Sequence, residues 1–229
     1  MRVAIVENTG VTHHGQVGVA LHEAAALIEV FRPWRGDALP QMGDHDALVV
    51  FGGEQSALDD ATHPYLPDLA RLMAQVSETD RAVLGICLGS QLLARGLGAQ
   101  KFLGATPEFG WTTVRRNGAD DPVLGRMPEA FPIFQWHSDT FTLPVGATHL
   151  ATSDAAPSQC FRIGRATYGM QFRFEASRAV VADWTRTIPD LVTRMQPDWH
   201  TAHPVHAATV GVQADTLGLT LARAWVGLI

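Results

Sequence analysis

The stretch that most constrains this chain runs from Arg81 to Gln100. An apolar run, Ala82-Val83-Leu84-Gly85-Ile86, leads into Cys87-Leu88-Gly89-Ser90-Gln91 and then Leu92-Leu93-Ala94-Arg95. The order reads as strand, sharp turn and helix. Gly85 and Gly89 bracket Cys87 in the pattern G-x-C-x-G, a cysteine version of the elbow that presents a nucleophile above a parallel sheet. A residue on so tight a turn has strained backbone angles, and bulky neighbours would clash. Such a turn pushes its side chain out at the carboxyl end of a strand and sets it at a helix N-terminus. Free N–H groups and the helix dipole favour an anion there. A thiol in that position is expected to have a lowered pKa and to act as a nucleophile near neutral pH. The Leu88 N–H would point at the developing oxyanion. Taken alone, G-x-C-x-G also describes a buried cysteine at a strand end.

The rest of the chain supplies a setting for that turn. Val3 to Val6 is a short β-branched run ending in the turn cluster Glu7-Asn8-Thr9-Gly10. Helical spacing follows over Gly15 to Ala26, then a strand over Leu27 to Phe31. A third strand, Asp46 to Phe51, runs straight into Gly52-Gly53, and Pro64 to Gln75 is an amphipathic helix. Strands alternating with helices predict a three-layer α/β sandwich around a doubly wound, mostly parallel sheet. Ligands in such sheets sit at the carboxyl ends of strands, where both Phe51-Gly52-Gly53 and Cys87 fall. From Gln100 to Tyr168 short β-like pieces (Trp111 to Val114, Thr148 to Ala151, Gln159 to Arg162) predict an antiparallel extension at the sheet edge. Ala166 to Phe172 returns to strand. Arg178 to Thr187 and Thr209 to Leu228 read as helices, with Pro189 to Pro204 as a loop between them.

Composition narrows the function classes. A chain of 229 residues, 46% hydrophobic, fits a single domain over residues 1–229 with one sizeable core. A net charge of −6 without a basic run argues against nucleic acid and anionic membranes as partners. No run of about 18 apolar residues is present to span a membrane. The N-terminus turns polar too quickly for a signal peptide. The two cysteines, Cys87 and Cys160, do not make a disulfide framework, and a cytoplasmic setting would keep Cys87 reduced. The histidines show no metal spacing, so no metal site is expected. His13-His14 read as solvated loop residues near the rim of the site.

The fuller string Gly85-Ile86-Cys87-Leu88-Gly89-Ser90-Gln91 resembles the nucleophile segment of class I glutamine amidotransferases, whose signature is G-(I/V)-C-x-G-x-Q. The resemblance extends from Arg2 to Glu175 and implies a flavodoxin-like fold. It also implies roles. Gly53 would be the second oxyanion donor beside Leu88, in a turn where Glu54 replaces the family's usual proline. Gln91 would contact the α-amino end of substrate glutamine. Gln135-Trp136-His137-Ser138-Asp139 resembles the family loop that holds the substrate's α-amino and α-carboxylate groups, which makes His137, Ser138 and Asp139 substrate-binding candidates. Glu108-Phe109-Gly110-Trp111 is family-like too, without an assigned role.

The segment Gly169-Met170-Gln171-Phe172-Arg173-Phe174-Glu175 resembles the family's G-x-Q-F-H-x-E, which supplies the catalytic histidine and the acid that orients it. Glu175 keeps the acid. Arg173 stands at the histidine position. In the family scheme histidine takes the thiol proton and later protonates the leaving ammonia. Arginine cannot be deprotonated in a protein and cannot shuttle a proton. It can lower the Cys87 pKa by its charge, or pair with Glu175 through both oxygens. The implied reaction is hydrolysis of a glutamine amide through a γ-glutamyl thioester on Cys87, impaired by Arg173, with a synthetase partner accepting the ammonia. No cofactor is implied. Two other readings are a non-catalytic ligand-binding module and a γ-glutamyl peptide hydrolase on the same fold.

Overall fold

Alternation along the buried strands explains how the layers form. A computed structural model describes residues 1–229. In β1 (Arg2–Val6), Val3 and Ile5 face one helical layer, while Ala4 and Val6 face the other. In β3 (Ala47–Val50), Ala47 and Val49 join the first side, Leu48 and Val50 the second. Apolar residues at every position are what a strand covered on both faces needs. α1 (Gly15–Glu23) and α7 (Val210–Val226) cover the first face through Val17, Leu21, Leu221 and Trp225. α2 (Leu66–Ser77) and α3 (Leu88–Gly96) cover the second through Leu69, Met73, Leu92 and Leu93.

The sheet has nine strands in the order β2-β1-β3-β4-β11-β10-β9-β6-β7. β2 (Leu27–Phe31), β1, β3, β4 (Ala82–Ile86) and β11 (Thr167–Met170) run parallel. The expected antiparallel extension is built from β10 (Cys160–Ile163), β9 (Thr148–Thr152), β6 (Glu108–Arg116) and β7 (Ala130–His137). β7 was not evident in the sequence because Pro132 interrupts it. As the edge strand it needs no N–H at that position. A separate two-stranded ladder pairs β5 (Lys101–Phe102) with β8 (Thr140–Phe141), which brings Lys101 to the loop before β8.

The C-terminal segment corrects one expectation. Residues 189–204 are not a loop. They hold α5 (Pro189–Met195) and most of α6 (Trp199–Ala208), after α4 (Arg178–Thr187). Pro189 sits in the first turn of α5, where its missing N–H costs nothing. Pro204 lies inside α6 and disguises it in the sequence. An aromatic cluster of Trp111, Phe134, Trp184 and Trp199 packs these helices onto β6 and β7.

The elbow is packed without room for side chains. A Cβ on Gly89 would lie 2.0 Å from the Val50 carbonyl oxygen, and one on Gly85 would lie 2.4 Å from the Gly89 oxygen. The N-terminal turn of α3 therefore rests directly on the ends of β3 and β4. Gly89→Ala is expected to destabilise the fold by about 3 kcal/mol or more. Gly125→Ala, whose new methyl would meet nothing within 4 Å, should stay within about 0.5 kcal/mol of the native chain. Urea unfolding midpoints of the two variants check this.

Candidate active site

Strand ends assemble the site. β1, β3, β4 and β11 all point their carboxyl ends the same way, and each is followed at once by a polar or glycine-rich segment. Cys87 follows β4 with φ 53° and ψ −111°, one of two non-glycine residues with positive φ. That strain is held by the close approach of α3 described above. The thiol donates a weak hydrogen bond to the Trp136 carbonyl at 3.5 Å.

A cavity of about 420 Å³ opens over Cys87. Gly53, Leu88, Gln91, His137, Ser138, Asp139 and Arg173 all line it. Of the residues given a catalytic, oxyanion or substrate role from the sequence, Glu175 alone does not. It lies fully buried behind Arg173. Arg173 Nε donates to Glu175 Oε1 at 2.7 Å, and its Cζ lies 4.5 Å from the centre of the Trp184 ring. The pair is made through one oxygen, not through both as expected: Glu175 Oε2 is buried without a partner. The guanidinium lies flat on Gly52, where a Cβ would come within 3.0 Å of Cζ.

The electrostatics differ from the expectation for a thiol at a helix N-terminus. Burial pushes the Cys87 thiol up from its ordinary pKa, with Glu175 acting in the same direction. The Arg173 charge and the Leu88 N–H pull it down but do not offset burial. Burial thus favours the neutral thiol over the thiolate. Cys87 is only 5% exposed, and its desolvation outweighs the gain from a single helix end. Burial likewise pushes the Glu175 carboxyl up, and Arg173 opposes it.

The remaining predicted residues are held by their own partners. His137 makes two contacts, Nε2 to Glu108 Oε2 and Nδ1 to the Asp139 carbonyl, both at 3.1 Å. Glu108 in turn accepts from Ser153 Oγ and Gln159 Nε2 at 2.8 and 2.6 Å. Asp139 accepts from the Gly104 N–H and pairs with Lys101 Nζ at 2.7 Å. Lys101, the chain's only lysine, also donates to Ser56 Oγ, and burial lowers its pKa. Gln91 Nε2 donates to Gln171 Oε1 at 3.0 Å.

Sequence reasoning missed the outer wall, formed by Trp184, Ile188, Leu191, Arg194 and Met195 of α4, α5 and the turn between them. The signal was present in Ile188, Leu191, Val192 and Met195, spaced i, i+3, i+4, i+7 around a proline suited to a first helical turn. His13 and His14 are not free loop residues either. His13 contacts Asp183 of α4 and His14 contacts Glu7, both at 2.8 Å, and His14 stacks on Phe51. No three His, Cys, Asp or Glu side chains converge into a metal-binding cluster.

A sequence profile described as "Glutamine amidotransferase class-I" matches residues 19–179. The chain belongs to the class I glutamine amidotransferase family. Among its family relatives is the glutamine amidotransferase-like protein YfeJ of Salmonella typhimurium, 36% identical over 150 residues. That match covers 63% of this chain and 63% of the relative, so it falls short of that protein's full length. One subunit of the glutamine-hydrolysing GMP synthase of Sulfurisphaera tokodaii is 32% identical over 58% of this chain and 68% of its own. A glutamine amidotransferase of Thermotoga maritima, solved by crystallography, superposes with a TM-score of 0.86 at 26% identity, over 98% of both chains. No helix of the chain is long and apolar enough to cross a membrane.

The buried thiol gives a direct expectation. Alkylation of Cys87 by iodoacetamide should be slow at pH 7 and should climb through pH 9 without levelling off below it. Cys160, fully buried and pushed still further up by burial, should not react in the folded protein. Peptide mapping of the alkylated protein across pH checks both.

Proposed function

We propose that the cavity over Cys87 is a glutamine-type site whose amide hydrolysis is crippled by Arg173. In this reading Cys87 faces the γ-carbon of a glutamyl group, and the Gly53 and Leu88 N–H groups serve as oxyanion donors. Gln91, His137, Ser138 and Asp139 belong to the substrate wall, and Arg173 with Glu175 occupies the place of the acid–base pair. The observation that carries the reading is the buried ion pair of Arg173 with Glu175 at the wall of the cavity over Cys87.

Hydrolysis through a thioester needs a group that takes the thiol proton and returns one to ammonia. Arg173 does neither. His137 is no substitute, because Glu108 and the Asp139 carbonyl occupy both ring nitrogens. The protein's contribution is then retention of the γ-glutamyl ligand rather than rapid turnover. A second reading, a hydrolase of larger γ-glutamyl compounds, draws support from the cavity. Its 420 Å³ lies within the roughly 300–1,000 Å³ of pockets that take drug-sized ligands, and its outer wall is apolar except for Arg194. The relative that is one component of a GMP synthase supports a separate partner protein that would accept ammonia or sense the bound ligand.

Ammonia release from glutamine is the test, with the native protein, Arg173→His and Cys87→Ala measured side by side. Native turnover is expected to fall below that of Arg173→His by roughly a thousandfold or more, and Cys87→Ala should be inactive. Native activity equal to that of Arg173→His contradicts the proposal. Release of an amine other than ammonia from a γ-glutamyl peptide favours the second reading.

A further inference from the structure

Arg173 changes what the base of the pocket is built to hold. The side chain is 10% exposed and fixed on three sides, by Glu175 at Nε, by the Trp184 ring and by the bare backbone of Gly52. Glu175 uses the Nε proton only. No oxygen of the protein accepts a hydrogen bond from Nη1 or Nη2, although the residue lines the cavity beside Cys87. An arginine carries five N–H donors and a charge it cannot lose. With Nε spent on Glu175, the Nη donors face the cavity and the Cys87 sulfur, and an anion on the pocket side would give them the acceptor the protein's oxygens do not.

The surroundings favour the same occupant. No protein oxygen accepts from the Gly53 N–H, and the Leu88 N–H lies at the start of α3 against the Cys87 sulfur. The cavity therefore has backbone donors on the wall that carries the guanidinium. Carboxylates nearby are already matched: Glu175 by Arg173 and Asp139 by Lys101, while Glu54 stands exposed at the rim with Thr9. A glutamine amide would turn its own NH₂ donors toward these donors, or offer a single oxygen. A carboxylate offers two oxygens, a charge and no donor.

We infer that the Cys87 pocket binds a carboxylate where a glutamine amide would sit, so that its preferred ligand is L-glutamate rather than L-glutamine. The inference rests on the reading of this cavity as a glutamine-type site. Replacing a neutral acceptor by a charged one at a buried guanidinium corresponds to about tenfold or more in affinity.

Isothermal titration of the native protein with L-glutamate and with L-glutamine at neutral pH tests it. Glutamate is expected to bind about tenfold or more tightly than glutamine. Arg173→His, if it folds, should lose that preference and bind glutamine at least as well as glutamate. Native protein that binds glutamine as tightly as glutamate, or more tightly, overturns the inference and leaves the glutamine-type reading of the pocket standing. Failure of both the native protein and Arg173→His to bind either ligand overturns both.

Discussion

The contact on which the rest depends is the seating of α3 on the sheet through Gly85 and Gly89. With no side chains between them, the first turn of α3 approaches the Val50 carbonyl closely enough to force Cys87 into a left-handed backbone conformation. That one constraint sets the sulfur over the carboxyl ends of β3, β4 and β11. It also puts Gly53, in the turn after β3, next to Leu88. The pocket is thus a consequence of how a helix meets a parallel sheet, and its position would be the same whatever residue stood at 173.

What residue 173 decides is the chemistry. The segment after β11 delivers Arg173 and Glu175 to the space behind Cys87, and the ion pair between them is buried. Burial works against all three groups. It pushes the thiol and the carboxyl toward their neutral forms, and it is opposed mainly by the permanent charge of the guanidinium. A histidine in that position would share a proton between sulfur, imidazole and substrate. An arginine holds its proton, and on the proposed reading a fixed charge stands here in place of that relay. Trp184 and Gly52 line that wall on either side of the flat cation.

Much of this was legible from residues alone. The β-branched runs at Val3 to Val6 and Ala47 to Val50, and the glycines around Cys87, identify the parallel sheet and the elbow because those patterns have few other solutions. The register of Gln171, Phe172 and Glu175 locates Arg173. Prolines hid the rest. Pro132 obscured an edge strand, and Pro189 and Pro204 made two helices look like a loop, although one proline suits a helix start and the other is tolerated within a helix packed by Trp199. The sign of the Cys87 shift was also out of reach, since a helix terminus can be read from sequence while the depth of burial cannot. The pairing of the lone lysine with Asp139 depends on the β5–β8 ladder, two residues on each side, too short to leave a pattern.

On the proposed function, Arg173 prevents formation of the acyl-enzyme on Cys87. Intact-mass analysis after rapid mixing with glutamine and acid quenching reads that species directly. The account predicts no γ-glutamyl adduct on the native chain and a transient adduct, dependent on Cys87, when Arg173 is replaced by histidine. An adduct that accumulates on the native chain would contradict it, and would mean that a proton leaves Cys87 by a route other than residue 173.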